Sequence, residues 1–412
     1  MPRVGTSAIS VYTGIRMSGR QERPHTPSLA GLGSATLEEV ERQLRICDSC
    51  RYCEAYCPVF PALERRPARA ASDLIFLGNL CHDCEACFQA CMYTEPHEFG
   101  MNLPAALSGV RAETYEQYAW PTWLARRVGS SVTAPLWMTL FAVVVIAAGL
   151  TLSGSWGRLL VAHSGAGAFY QVVPFLLMMI PSLAGAVFII GILGVGTLRF
   201  WFNAGGRLSE LTNLGIWTSA TRDSITLTNM RGGGGGCYVP DPDRPSPTRR
   251  RLHTFVVGGF TAALISTILA AFWQELLHQM PPYPILSPTV IVGIIGGVAL
   301  ILGTTPLLYL KVRTGRQFSA PAMRQMDFTF LLLLDGTSFS GMLTLILRSS
   351  SAMGVMLDLH IALLFALYLT APYGKFAHSV FRFAALALDV TEKRRAAAVQ
   401  PPHAHLGKSV PR

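Results

Sequence analysis

The chain has 412 residues, of which 50% are hydrophobic and only 14% are charged. Soluble globular proteins carry about 25% charged residues, so this composition excludes an ordinary cytosolic enzyme, a disordered chain and a collagen-like repeat. The 34 Lys and Arg residues against 24 Asp and Glu leave a formal net charge of +10, and nine cysteines are present. These values predict an integral membrane protein with a polar appendage.

The N-terminal part of the chain divides into two segments. Residues 1–35 are rich in Gly, Pro, Ser and Arg and lack the apolar run of a signal peptide, which predicts a disordered tail that starts in the cytoplasm. A capping-box pattern from Thr36 to Glu39 predicts the start of a helix. Residues 36–103 then contain eight of the nine cysteines and almost no long apolar run. We expect a compact cysteine-rich domain there.

Two copies of one cysteine pattern lie in this segment, each with the spacing C-x2-C-x2-C-x3-C. In bacterial two-cluster ferredoxins three closely spaced thiolates bind one [4Fe–4S] cluster and the fourth binds the other. The pattern therefore predicts one cluster held by Cys47, Cys50, Cys53 and Cys91 and a second held by Cys81, Cys84, Cys87 and Cys57. Zinc sites would leave the triple spacing unexplained, and disulfides do not suit a reducing cytoplasm.

An aromatic and basic bridge at residues 104–133 leads from the cysteine segment to the apolar part of the chain. It contains Tyr115, Tyr118, Trp120, Trp123, Arg126 and Arg127, a composition typical of a membrane interface; an ordinary amphipathic linker helix is the alternative. Six apolar runs follow, at residues 134–152, 172–197, 254–276, 289–310, 328–347 and 355–373. Each is close to the ~20 residues that cross a bilayer.

Basic residues are concentrated in alternate loops. They occupy the loop 198–252, the loop between the fourth and fifth runs, and the C-terminal segment, whereas the opposite loops hold only Arg158 and Arg348. The positive-inside rule then places the cysteine segment and both termini in the cytoplasm of a multi-pass protein of the inner (cell) membrane. The net charge of +10 thus indicates topology and requires no nucleic-acid partner.

Four histidines lie at the ends of the predicted spans. His360 and His378 are 18 residues apart, which is five turns at ~100° per residue and predicts a shared helix face. His253 and His278 are 25 residues apart, within about 20° of one face. Because the third and sixth spans run antiparallel, we expect His253 to meet His378 on the inner side and His278 to meet His360 on the outer side. Such pairs predict one or two b-type haems, although a single histidine at such a position is more often an interfacial anchor.

These elements together predict a mainly α protein. A two-cluster ferredoxin-like domain at 36–103 precedes a six-helix transmembrane bundle of the di-haem cytochrome b type at 134–390, with a tail at 391–412. Asp335, inside the fifth run, is a candidate proton relay linked to quinone or a helix–helix hydrogen-bonding residue. Arg348 and Lys375 flank the two histidine levels and either pair with haem propionates or extend to the interface.

The remaining histidines and the ninth cysteine give weaker signals. Cys237 follows five consecutive glycines, and we interpret it as a buried structural thiol in preference to an extra cluster ligand. The glycines themselves are compatible with a close approach of the backbone to a cluster or a partner. His82 and His97 are expected at the surface or beside cluster ligands, and His163 is a reserve ligand in an outer loop.

The motifs in this order resemble those of the tricarballylate (citrate) utilisation protein B family. The resemblance runs from about residue 36 to 390 and rests on the doubled cysteine run, Pro96–Phe99, Gly165–Tyr170, the glycine run ending in Cys237, Arg250–His253 and Pro372–His378. The pair His360 and His378 is also similar to that of the gamma subunit of respiratory nitrate reductase, a di-haem cytochrome b. The chain departs from many relatives at Phe175, where they carry a histidine.

The resemblance implies a membrane iron–sulfur protein that reoxidises an FAD-dependent dehydrogenase of the tricarballylate dehydrogenase type and passes electrons to membrane quinone. No Rossmann glycine fingerprint is present, so the acid chemistry is expected to belong to the flavoprotein partner. Two alternatives remain open from the sequence. One is a membrane subunit that serves a heterodisulfide-reductase or nitrate-reductase type of enzyme, and the other is a membrane redox sensor or transporter.

Overall fold

The computed structural model describes residues 33–129, 131, 133–239, 241 and 243–399. The tails expected at 1–35 and 391–412 therefore fall largely outside the described residues. The described residues form one compact unit. Its helices are α1 (Ser34–Cys50), α2 (Val59–Glu64), α3 (Ala71–Leu80), α4 (Ala86–Gln89), α5 (Leu103–Tyr118), α6 (Thr122–Val128), α7 (Ala134–Leu152), α8 (Ala168–Val172), α9 (Phe175–Asn203), α10 (Leu214–Thr226), α11 (Thr248–Leu277), α12 (Pro288–Arg313), α13 (Pro321–Ile346), α14 (Met353–Thr370) and α15 (His378–Val399).

Helix α3 forms the core of the cysteine-rich domain. All its residues from Asp73 to Leu80 are buried, and it packs against α1, α2, α5 and α15. A helix that is apolar on every side is stable only when neighbours cover it completely. The domain therefore includes the C-terminal helix α15 as well as the N-terminal helices.

Six helices in the described part of the chain are long and apolar enough to cross a membrane: α7, α9, α11, α12, α13 and the segment Met353–Tyr373. They match the six predicted runs, and the mainly helical fold with six membrane-length helices is confirmed. Helix α14 is the most enclosed of the six and packs against α7, α9 and α13. Consecutive helices from α11 to α14 also pack against each other.

Small residues bring α11 and α12 into close contact. A Cβ atom added at Gly259 would lie 2.7 Å from the backbone nitrogen of Leu300, and one added at Gly296 would lie 2.7 Å from the backbone nitrogen of Ala263. Small residues at such crossings allow helix backbones to approach within a membrane. This contact fixes α11, which carries His253, against its neighbour.

The chain does not continue as one helix from His360 to His378. Helix α14 ends at Thr370, two short 3₁₀ segments follow at Ala371–Tyr373 and Lys375–Ala377, and α15 begins at His378. Pro372 cannot donate a helical hydrogen bond, and Gly374 is extended, with φ −121° and ψ −157°. The expectation of a shared helix face for His360 and His378 is therefore wrong.

Helix α15 attaches the cysteine-rich domain to the membrane helices and their loops. It reaches Val399, past residue 391 where the sequence predicts a tail. Arg66 is buried in the domain, and its guanidinium binds Asp73 at 2.8 Å, Glu392 of α15 at 2.6 Å and the carbonyl of Ala204, after α9, at 2.7 Å. One buried cation thus joins three separate parts of the chain.

Candidate cofactor site

The first predicted cysteine set surrounds a pocket at the surface of the domain. Cys47 and Cys50 lie in the last turn of α1, Cys53 follows in the next loop, and Cys91 follows α4; all four line the pocket. Burial, together with the neighbouring thiols of Cys91, Cys53 and Cys50, raises the pKa of Cys47 to about 12. The side chains therefore group as the spacing predicts.

The second predicted set lies deeper. Cys81 and Cys84 are buried, and burial together with the thiols of Cys81 and Cys84 raises the pKa of Cys57 well above its ordinary value. Burial and the thiols of Cys57, Cys81, Cys84 and Cys53 do the same for Cys87. The fourth cysteine of the first motif thus lies among the first three of the second, as in the interleaved ferredoxin arrangement.

Residues 81–85, which we call the cluster loop, are held in an unusual conformation by arginines. Asp83 and Glu85 have positive φ angles of 57° and 64°, a region that non-glycine residues occupy at a cost. The buried Arg111 donates to the carbonyl of Cys81 at 2.9 Å, and Arg382 donates to the same oxygen at 2.7 Å. These bonds offset the strain and orient the loop.

The donor set fits iron–sulfur clusters. All nine cysteines are free, with no disulfide among them. Within the described ranges, no three His, Cys, Asp or Glu side chains converge closely enough to hold a single metal ion. A cubane presents its four irons at separate corners, so its thiolates need not converge as they would around one zinc ion. The grouping favours clusters over zinc.

The glycine-rich loop packs against the second cysteine set. A Cβ atom added at Gly232 would lie 3.8 Å from Sγ of Cys84, and Tyr238 donates its backbone N–H to the carbonyl of Cys84 at 3.2 Å. Cys237 is fully buried beside them, and its thiol lies 3.6 Å from the carbonyl of Met230. The predicted buried position of Cys237 is confirmed, and the glycines do provide a close backbone approach.

The inner histidine pair is brought together as predicted. The ring centres of His253 and His378 lie 6.3 Å apart, with 82° between the ring planes. Since a metal–imidazole bond is about 2.0–2.1 Å, rings at this spacing would leave room for both to bind one metal ion. Nδ1 of His378 lies 2.6 Å from the carbonyl of Lys375, the support that metal-bound histidines commonly have. The pair fits a bis-histidine iron.

A cavity of about 420 Å³ opens beside this pair, within the size range of small-molecule sites. His82, Asp83 and Glu85 line it, together with apolar side chains that include Val256, Phe260 and Leu334. His82 is buried, and burial and the charge of Arg382 hold its pKa well below the ordinary value. Polar and apolar side chains thus line the cavity together, and the membrane helices contribute both kinds, with Lys311 and Asp327 among the charged residues.

A buried ion triad, which was not predicted from the sequence, borders the cavity. Asp327, in the first turns of α13, forms ion pairs with Lys311 of α12 and with Lys375, the latter at 2.7 Å. Lys375 is therefore paired with a carboxylate of the chain itself. Asp327 lies only a few residues after the basic loop. Its position just before the fifth apolar run was the one sequence signal from which the triad could have been predicted.

The outer histidines are not brought together. His278 is exposed at the end of α11, with a positive φ of 53°. His360 faces α13: its Nδ1 lies 3.0 Å from the carbonyl of Thr337 and 3.2 Å from Oγ of Ser340. Both ring nitrogens of His163 are also engaged, with Gln171 at 2.7 Å and the carbonyl of Arg158 at 2.8 Å. An outer haem between His278 and His360 stays a prediction, because the structure does not pair these two histidines.

The remaining candidates have structural partners. Asp335 accepts hydrogen bonds from Thr304 at 2.5 Å and Thr305 at 2.9 Å, both on α12, which is the helix–helix bond expected as its alternative role. Arg348 donates to the carbonyl of Tyr283 at 3.0 Å. Nδ1 of His97 accepts from the backbone N–H of Phe99 at 3.1 Å. None of these three contacts involves the cavity beside His253.

Comparison with known proteins agrees with this arrangement. The profile described as "Citrate utilization protein B" matches residues 129–399, and the profile of the "Citrate utilization protein B Fer4-like domain" matches residues 40–117. A protein of Escherichia coli named "Citrate utilization protein B" is 39% identical over 366 residues, which cover 87% of this chain and 93% of that protein. No solved structure matches the chain. The cysteine-rich domain is thus a Fer4-like domain joined to a part with six helices of membrane-spanning length, and the chain belongs to the citrate utilization protein B family.

Proposed function

We propose that this protein transfers electrons from a reduced flavoprotein dehydrogenase, through two [4Fe–4S] clusters and b-type haem, to membrane quinone. The observation that carries the proposal is the link between the second cysteine set and the histidine pair. Arg382 donates to the carbonyl of Cys81 and stands one helical turn from His378 on α15. A cluster ligand and a haem ligand are thereby separated by one side chain.

The residues that would hold these groups are those predicted from the sequence. Two sets of four cysteines would hold the clusters, and His253 and His378 would hold haem iron. When bound, these groups supply one-electron carriers between a two-electron flavin donor and a quinone acceptor. The histidines are suited to ligation because burial and nearby cations hold the pKa of His378 well below its ordinary value, which keeps the ring neutral.

The two cysteine sets differ in exposure, which supports an order of use. Cys50 is exposed, and the side chains of Tyr52 and Met92 beside that pocket are 60% and 62% exposed. Cys81 and Cys84 are buried next to the cavity that contains His253. We infer that a soluble donor docks at the first set and that the second set faces the histidines.

The basic loops support a cytoplasmic cluster domain. Asn102 donates to the carbonyl of Gln317 at 2.8 Å, and Ser108 accepts from the backbone N–H of Ala320 at 2.7 Å. The loop between α12 and α13 therefore lies against the domain, as does the carbonyl of Ala204 after α9. Since these loops carry the basic residues, the positive-inside rule supports a position of the domain on the cytoplasmic side of the cell membrane.

The family name is the support for the proposed partner. The relative's name refers to citrate utilization, and we propose an FAD-dependent dehydrogenase of the tricarballylate type as the donor. The test is quinone reduction by purified protein in the presence of that reduced dehydrogenase. Turnover near the rate of the dehydrogenase is expected. A redox sensor would show reducible clusters without turnover, and a preparation without a b-type haem band would contradict the haem assignment.

A further inference from the structure

Arg382 has one donor nitrogen without a partner. It follows His378 by one turn of α15, so the two side chains project from the same side of the helix. Its Nη2 donates to the carbonyl of Cys81, whereas its Nε is buried and makes no hydrogen bond. Both Arg382 and His378 line the cavity. Arg382 therefore belongs to the wall of the site beside the histidine pair and has a donor nitrogen that no group of the described chain satisfies.

Four other cations around this site have carboxylate partners, whereas Arg324 donates to the carbonyl of Lys311. Arg111 and Arg249 lie 3.4 and 4.0 Å from the carboxylate of Asp83, and Lys311 and Lys375 pair with Asp327. Arg382 forms no ion pair with any carboxylate among residues 33–129 and 133–399 that the structure describes. Burial and the nearby charge of Arg111 lower the pKa of Arg382. Arg382 is thus a partly buried cation that makes no ion pair within the described chain.

Arg249 provides an internal comparison. It precedes His253 by one turn of α11, as Arg382 follows His378 by one turn of α15. Arg249 binds both the carbonyl and the carboxylate of Asp83, so its charge is compensated within the chain. Each histidine thus has an arginine on its own helix face. Of these two arginines, only Arg382, beside His378, is left to bind a carboxylate from outside the chain.

We propose that Arg382 binds a carboxylate of the ligand held between His253 and His378, namely a propionate group of haem. This inference rests on the haem assignment in the proposed function. The cavity has matching chemistry, since Arg382 lines it together with apolar side chains that include Val256 and Phe260. A porphyrin likewise has an apolar body and carboxylates on one edge. Arg382 is then a positioning residue that orients the haem and raises its potential.

The test compares the redox midpoint potential of the haem in Arg382→Gln, Arg382→Lys and Lys393→Gln with that of the intact protein. Loss of a nearby cation favours ferric over ferrous iron, so Arg382→Gln is expected to lower the potential with an unchanged haem band, and Arg382→Lys to restore most of the shift. Lys393 is a matched control on the same helix, because it is exposed and pairs with Asp389. Its substitution should leave the potential unchanged.

The outcomes separate the two proposals. An unchanged potential in Arg382→Gln with full haem content overturns the role of Arg382 alone, whereas intact protein without a haem band overturns the haem assignment and this role with it. Loss of haem from Arg382→Gln with full iron–sulfur content supports the role. If the glutamine variant does not fold, the propionate bending mode in the resonance Raman spectrum of Arg382→Lys decides: a shifted mode supports propionate binding, and an unshifted one overturns it.

Discussion

The centres of the imidazole rings of His253 and His378 lie 6.3 Å apart, with the ring planes nearly perpendicular, although one residue lies near the start of α11 and the other begins α15. The two helices are held together by the cluster loop, because Arg249 of α11 binds Asp83 and Arg382 of α15 binds Cys81. The same backbone segment that contains two cluster cysteines therefore fixes the spacing of the histidine pair.

Loss of either inner histidine is expected to abolish haem binding. His253→Ala and His378→Ala should each remove the b-type band from the reduced-minus-oxidised spectrum, because a bis-histidine iron requires both rings. His278→Ala and His360→Ala serve as matched controls. They should retain a haem band, since these two residues are not brought together. A full band in His378→Ala would contradict the inner pair.

Substitution of one cysteine from either set is expected to remove one cluster. Cys50→Ser and Cys84→Ser should each lower the iron–sulfur iron content by roughly half, since each set would hold one of two clusters. Cys237→Ser is the control: its thiol is buried next to Cys84, but it belongs to neither set. Iron and acid-labile sulfide analysis measures the change. An equal loss in Cys237→Ser would make that residue a ligand.

Neutralisation of Asp327 is expected to destabilise the membrane part. Asp327→Asn leaves Lys311 and Lys375 without a carboxylate, and breaking a buried ion pair costs about 3–5 kcal/mol. The measurement is thermal unfolding in detergent. Glu64→Gln is the control, since its pair with Arg51 at 3.0 Å is exposed and an exposed pair is worth about 1 kcal/mol or less. Equal shifts in both variants would contradict the role of the triad.

Two glycines of the glycine-rich loop are expected to differ in how much stability is lost when a side chain is added. Gly234 and Gly236 have similar φ angles of 120° and 119°, so alanine is strained at both. A Cβ at Gly236 would lie 2.5 Å from the carbonyl oxygen of Ser246, whereas nothing lies within 4 Å of a Cβ at Gly234. Gly236→Ala should therefore lower the unfolding temperature more than Gly234→Ala. The backbone strain that both share is of order 1–3 kcal/mol.

The buried Glu85 is expected to make stability depend on pH. Burial raises its pKa from 4.5 to about 7, and Oε2 has no hydrogen-bond partner. The folded protein then binds the proton more tightly than the unfolded chain, so this contribution is complete below pH 4.5 and is lost as the pH rises through about 7. Glu85→Gln removes the titration. As the pH rises from 4.5 to 8, the free energy of unfolding of this variant should increase relative to that of the intact protein by up to about 3 kcal/mol.

The pH profile of unfolding measures this difference. Asp83 provides the contrast within the same loop, because burial opposes its ionisation but Arg111 and Arg249 hold its pKa below the ordinary value. Its contribution is therefore of opposite sign and is lost only under acidic conditions. A constant difference between Glu85→Gln and intact protein from pH 5 to 8 would show that Glu85 does not titrate in this range.

Local patterns were sufficient to predict the cysteine sets and the six membrane-length helices. Cluster ligation depends on the spacing of thiolates over a few residues, so the interleaving of Cys57 and Cys91 follows from the motif. Span length depends on bilayer thickness and apolar composition. The meeting of His253 and His378 was predicted from the order of the spans and from the side of the membrane on which each span end lies. Neither of these two inputs requires packing detail.

Tertiary structure decided the features that depend on contacts between distant segments. Pro372 and Gly374 end the last span, so α15 leaves the bundle, packs on α3 and carries His378 to the cluster loop. The same break separates His378 from His360, which contacts α13. The pairing of Asp327 with two lysines and the open donor of Arg382 likewise depend on which helices are neighbours. Helix periodicity specifies faces, and only packing decides what each face meets.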